Sequence, residues 1–151
     1  MKIELDDLSG PEIADFLRAH VRQMRSLTPV ESKHALDLEG LRRKEVTFWS
    51  VTDGGVVVGC GALKRLDATH AEIKSMRTAP ARRRSGVAGR LLGHIIGEAR
   101  SMGLHRLSLE TGSAEPFAPA RALYEKFEFA YCGPFADYRE DPHSAFMTRL
   151  V

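Results

Sequence analysis

The sequence predicts an α+β chain, a mixed α/β sandwich of about seven strands and four helices. Three observations carry this. Apolar residues recur at helical spacing near the N-terminus and switch to a period of about two from Val46 onward. Turn signals at Asp53-Gly54-Gly55 and Ala68-Thr69 cut the stretch from Val46 to Thr78 into three runs, which reads as an antiparallel meander. Val87 to Met102 is the strongest amphipathic helix of the chain, and Gly103 stands where a C-terminal cap belongs.

The elements follow in order. Lys2 to Leu5 reads as a short strand. Ser9-Gly10-Pro11-Glu12 offers helix-start chemistry, and Ile13, Phe16, Leu17, Val21 and Met24 then define an amphipathic helix to Arg25. A shorter helix is expected from His34 to Lys44 on Leu36, Leu38 and Leu41. Val46 to Val51 is β-branched or aromatic, Val56 to Leu66 is apolar with Gly59 and Gly61 interrupting it, and His70 to Thr78 alternates until Pro80. After the Val87 helix, Leu104 to Thr111 alternates as a strand, Pro119 to Phe127 forms a helix, and Phe129 to Cys132 and Ala145 to Leu150 are the last two strands. Trp49 and Phe48, in a central strand, read as core residues or as the lining of an acceptor pocket.

A chain of 151 residues forms one globular domain, residues 1–151, long enough to bury a core without staples. With 22 basic against 20 acidic side chains, its net charge is too small to argue for nucleic acid. Two cysteines, Cys60 and Cys132, lie in apolar surroundings without CxxC spacing, so both are expected as reduced, buried thiols. The N-terminus lacks an apolar signal region and no window suits a membrane span; the expectation is a cytoplasmic protein with no membrane partner. The six histidines are dispersed without ligand spacing, and no metal is expected.

The informative segment runs from Thr78 to Leu92 and places a basic, glycine-containing loop between a strand and a helix. Its physics is anion binding: Gly86 lets backbone N–H groups approach a ligand, the first helical turn leaves donors unpaired, and nearby arginines add charge-assisted bonds to phosphate. The spacing fits neither a P-loop nor the dinucleotide fingerprint, while a pyrophosphate remains an attractive guest. The bland alternative is that Arg82, Arg83 and Arg84 form a solvated loop or a nucleic-acid patch.

Context favours the ligand. Arg83-x-x-Gly86-x-Ala88 resembles the Q/R-x-x-G-x-G/A signature of the GNAT acetyltransferase superfamily, and Ala120-Arg-Ala-Leu123-Tyr124-Glu125-Lys126-Phe-Glu-Phe129 resembles that family's A-x-x-LYEK-x-GF segment. The order of elements is similar over essentially the whole chain. Glu110-Thr111-Gly112 and the tail from Gly133 to Pro142 resemble a bacterial subgroup of N-acetyltransferases. The resemblance implies a mostly antiparallel, twisted central sheet flanked by helices. It also implies acetyl-CoA as donor, held by Arg83, Arg84, Ser85, Gly86, Val87, Ala88, Gly89 and Arg90. Met76, Arg77 and Thr78 complete the cofactor set, with the Met76 and Thr78 backbones pairing with pantetheine and the Met76 amide available to polarise the acetyl carbonyl. The acceptor is an amine, small or protein-borne, that the sequence does not identify. A homodimer through the last strands is compatible with similar folds.

Acetyl transfer needs a free amine, a stabilised carbonyl oxygen and a proton for the leaving thiolate. The resemblance offers Glu72 as base, at an offset where some family members carry one, and Tyr124 as acid near the coenzyme sulfur. The plainer readings are a strand residue at Glu72 paired with Lys74 or Arg77, and a core aromatic at Tyr124. Two departures stand out: Glu128 replaces the family's glycine, so a residue with a Cβ must take a glycine-like conformation, and Phe117 replaces a frequent asparagine. Gly89, Gly93 and Gly97, four residues apart, read as close packing of helix on sheet or a smooth floor beside the cofactor. The acidic, aromatic run of Asp137, Tyr138, Glu140 and Asp141 suits an amine electrostatically, or is a solvated loop. A non-catalytic acyl-CoA-binding or sensing domain and a nucleic-acid module are the alternatives.

Overall fold

The structure, a computed structural model, describes residues 1–27 and 38–151. Seven strands form one sheet: β1 (Lys2–Leu5), β2 (Val46–Asp53), β3 (Val56–Arg65), β4 (His70–Thr78), β5 (Arg106–Gly112), β6 (Ala130–Cys132) and β7 (Ser144–Leu150), in the spatial order β1-β2-β3-β4-β5-β7-β6. Among the described residues four α-helices accompany them: α1 (Pro11–Leu27), α2 (Leu38–Leu41), α3 (Val87–Ser101) and α4 (Ala118–Lys126). The α+β class, the meander and the element order are as expected. The expected second helix survives as the single turn α2; its start at His34 and Leu36 lies outside the described residues.

The β2–β3 hairpin turns at Gly54 and Gly55, whose φ values of +60° and +82° suit the primed turn that right-twisted strands need. Every described pairing is antiparallel except β4 with β5, which α3 joins as a crossover. The sheet separates two apolar layers. On one face α3 buries Val87, Leu91, Leu92, Ile95, Ile96 and Ala99 against Ala71, Ile73, Leu107 and Leu109. On the other, α1 sets Ile13 and Leu17 beside Phe48, Cys60 and Ala62.

Close helix-to-sheet packing belongs to β3. A Cβ at Gly59 would fall 2.8 Å from Val87 Cγ1, and one at Gly61 would fall 3.1 Å from Ile95 Cδ1. The glycine row on α3 instead turns toward α4. A Cβ at Gly89 would lie 3.9 Å from Leu123, one at Gly93 would lie 3.8 Å from Phe127, and Gly97 faces open space. Glu128 takes the glycine-like conformation anticipated for it, with φ +68°.

The feature that positions the site is an interruption of β4. Cys60 faces Arg77 and Ala62 faces Lys74, so Ser75 and Met76 together oppose Gly61 alone, and Ser75 sits at φ +56°. This is a β-bulge, which bends the strand and re-aims its side chains. Parallel pairing with β5 covers His70 to Ile73 and stops there.

Candidate active site

Where β4 and β5 part, a cleft of about 800 Å³ opens. Lys74 to Thr78 form one wall, Glu110 and Thr111 the other, the start of α3 closes one end, and Ala120, Leu123 and Tyr124 of α4 stand alongside. Of the residues singled out from sequence, Glu72, Met76, Arg77, Thr78, Arg83, Arg84, Gly86, Val87, Ala88, Gly89 and Tyr124 all line it. Ser85 and Arg90 do not: Ser85 Oγ donates to the Arg82 carbonyl, and Arg90 is exposed with its amide bonded to the Gly86 carbonyl at 3.1 Å.

The mouth of the cleft at α3 is built from backbone. Arg84 at φ +64° and Gly86 at φ +88° turn the chain into the helix, and the side chain of Val87, 1% exposed, anchors the first turn in the core. The amides of Val87, Ala88 and Gly89 have no acceptor within the helix and carry the positive end of its dipole. The arginine run is not uniform. Arg82 is held by Asp53, Nη2 to Oδ2 at 2.7 Å, which leaves Arg83 and Arg84 exposed at the rim.

At the other end lies a buried polar network. Glu72 is 3% exposed, and its Oε2 accepts from Lys74 Nζ at 3.2 Å and from the Tyr138 hydroxyl. Lys74 Nζ also donates to the Tyr138 oxygen at 3.0 Å. Tyr138 is wedged against Phe135 and Phe146, with ring centroids 5.1 and 5.5 Å away. Burial, reinforced by the Glu72 charge, raises the Tyr138 phenol well above its ordinary value. Glu72 therefore pairs with Lys74, as the plainer reading supposed, but inside the cleft and not on an outward face.

Glu110 stands across the cleft. Burial pushes its carboxyl up to about 7, against the lowering influence of the Ser144 hydroxyl and the Lys74 ammonium. Tyr124 is 6% exposed and packs edge-on against Phe129 at 5.8 Å; burial, with a smaller contribution from Glu110, raises its phenol too. It is a core aromatic that also reaches the cleft. His20 of α1 joins the lining and is pushed down to about 4 by burial and by Arg77, so it is neutral at pH 7.

Lys74, His20 and Gln23 were not singled out as site residues, and Glu110 was noted only for its neighbours in sequence. Lys74 had a signal, since it lies two residues from Glu72 and shares its side of the strand. His20 and Gln23 had none, because nothing local shows which face of α1 will meet β4. Phe117 covers Gly112, where a Cβ would fall 2.1 Å from its ring, and it lines the cleft where a polar residue is frequent. Among the described residues no group of three or more His, Cys, Asp or Glu side chains could hold a metal. No helix among them is long and apolar enough to cross a membrane.

Comparison with known proteins places this architecture. The chain is 55% identical over 151 residues, the full length of both, to the uncharacterized N-acetyltransferase YsnE of Bacillus subtilis (strain 168). A Klebsiella pneumoniae chain assigned as an acyl-CoA N-acyltransferase superposes with TM-score 0.84 at 27% identity, covering 99% of this chain and 96% of that one. An aminoglycoside 6'-N-acetyltransferase crystallised with coenzyme A shares the fold, with TM-score 0.76 at 16% identity over 99% and 97% of the two chains. The family model of the GNAT acetyltransferases matches residues 13–129, which hold both sequence motifs and the bulged strand, and the chain belongs to that family.

Proposed function

We propose that the protein transfers the acetyl group of acetyl-CoA to a primary amine by direct transfer in a ternary complex. The observation that carries this reading is the junction of two unpaired backbone surfaces in one cleft: the end of β4 released from β5, and the first turn of α3. A pyrophosphate suits the α3 amides with Arg83 and Arg84 at the rim. An amide-bearing pantetheine arm suits the Met76 and Thr78 backbone as a surrogate strand. Coenzyme A in the aminoglycoside acetyltransferase, a protein of the same fold, supports the donor.

In the proposed reaction the amine nitrogen attacks the thioester carbonyl, a C–N bond forms, and the C–S bond breaks. The Met76 N–H faces the developing oxyanion. The amine's proton passes to Glu72, directly or through a water, and Tyr124 returns a proton to the leaving thiolate. A second reading makes Glu110 the base. The Glu72 Oε2 is already engaged by Lys74 and Tyr138, whereas a Glu110 carboxyl raised to about 7 by burial is matched to that task. The convergence of Glu72, Lys74, Glu110, Tyr124 and Tyr138 on the cleft favours an enzyme over a non-catalytic acyl-CoA sensor. We place the reaction in the cytoplasm, where the free thiols Cys60 and Cys132 stay reduced.

The test is calorimetry with acetyl-CoA and CoA on the parent and on Gly86→Glu. A carboxylate at a φ +88° position beside the α3 amides should remove binding, whereas the parent should bind in the micromolar range. No binding by the parent would remove the acetyltransferase reading.

A further inference from the structure

Strand β4 brings two cations to the cleft, one with an anion beside it and one without. Lys74 is matched by Glu72. Arg77, three residues on and past the bulge, is not. Its side chain faces α1: Nη1 donates to Gln23 Oε1, and the guanidinium carbon lies 5.3 Å from the centre of the Phe16 ring. Its Nε is buried with no hydrogen-bond acceptor among the described residues. Among the described residues no carboxylate is within ion-pair distance of it.

The neighbours do not compensate the charge. The Cys60 thiol is pushed up to about 12 by burial and stays neutral, His20 is uncharged, and Arg83 adds positive potential. Gln23 and Phe16 hold the plane of the guanidinium, through a side-chain carbonyl and a ring face. A partly buried guanidinium fixed in this way, lining a cleft and short of an acceptor, is a receptor for an oxyanion. The Arg77 side chain lies on the α1 side of the sheet, and the residue is next in sequence to Met76, whose N–H the reading above gives to the acetyl carbonyl.

We propose that Arg77 binds a carboxylate of the acceptor, so that the amine acetylated by this protein belongs to an amino acid or a similar amino-carboxylate. The inference rests on the acetyl-CoA reading above and narrows its acceptor. Resemblance to the family assigned Arg77 to the cofactor; here its backbone remains beside the donor while its side chain serves the acceptor.

The experiment measures thiol release from acetyl-CoA with a panel of α-, β- and γ-amino acids and with their carboxamides, which keep the amine and lose the charge. Rates are compared per unit of free amine, because the carboxamides are less basic. At least one acid should exceed its amide in kcat/KM by roughly tenfold to a hundredfold, the scale of a charge-assisted contact. Arg77→Gln should collapse that ratio toward one and Arg77→Lys should retain part of it, while calorimetry shows the Gln variant still binding CoA. Amides equal to or better than acids throughout would overturn the proposal, as would CoA binding without turnover of any acid. Loss of CoA binding in Arg77→Gln alone would return Arg77 to the donor and also overturn it. Failure of the parent to bind CoA is the separate result that sinks the acetyl-CoA reading.

Discussion

Strand β4 has two halves that obey different rules. From His70 to Ile73 it pairs with β3 on one side and β5 on the other, and Ala71, Glu72 and Ile73 are buried. From Lys74 to Thr78 it keeps β3 and loses β5, carries a left-handed serine, and is only half-buried throughout. Withheld pairing leaves backbone donors and acceptors for a ligand to use. The cost appears in the same few residues, as positive φ at Ser75 and ionisable groups held away from water. Strain gathered where a strand stops being core and starts being a binding surface is what a functional site predicts.

Three substitutions break or sharpen this contrast. Ile73→Ala empties a fully packed site in the paired half and should cost about 2–5 kcal/mol of unfolding free energy, read from denaturant midpoints. A loss below about 1 kcal/mol would mean the paired half is no better packed than the open one.

Glu110→Gln probes the open side. The carboxyl is raised from an ordinary 4.5 to about 7, so the folded state favours its protonated form. That contribution is complete below about 4.5 and is lost as pH rises through 7. The variant should match the parent near pH 5 and be more stable at pH 8, by up to about 3 kcal/mol. If Glu110 is the base, the variant also loses the limb near pH 7 in kcat/KM that Glu72→Gln retains; the opposite pattern assigns the base to Glu72.

Ser75→Gly should give the smallest effect and the opposite sign to Ile73→Ala. It relieves a left-handed φ and removes a buried hydroxyl that has no partner among the described residues, for a gain of about 1 kcal/mol. A net loss would show that the bulge is not strained.

Much of the molecule was legible because its signals are local. Element order, the Gly54-Gly55 turn and the basic loop before Val87 each depend on a few adjacent residues. Even the unusual conformation of Glu128 followed from the motif around it. The bulge was not legible, since Ser75 has no glycine to announce a positive φ, and only the register of β3 against β4 exposes the extra residue. The network of Glu72, Lys74 and Tyr138 closes across more than sixty positions, so the tail segment read equally well as a solvated loop. Arg77 read as part of the donor site for the same reason: strand alternation shows that it opposes Met76, but not that Phe16 and Gln23 of α1 receive it.

The most direct measurement is amide hydrogen exchange along β4 and α3, with and without CoA. Added CoA should protect Met76, Thr78 and the amides from Val87 to Gly89, and leave His70 to Ile73, already paired on both sides, unchanged. Protection elsewhere, with those amides still exchanging freely in the CoA-bound protein, would contradict the claim that the unpaired half of β4 and the start of α3 together hold the acetyl donor.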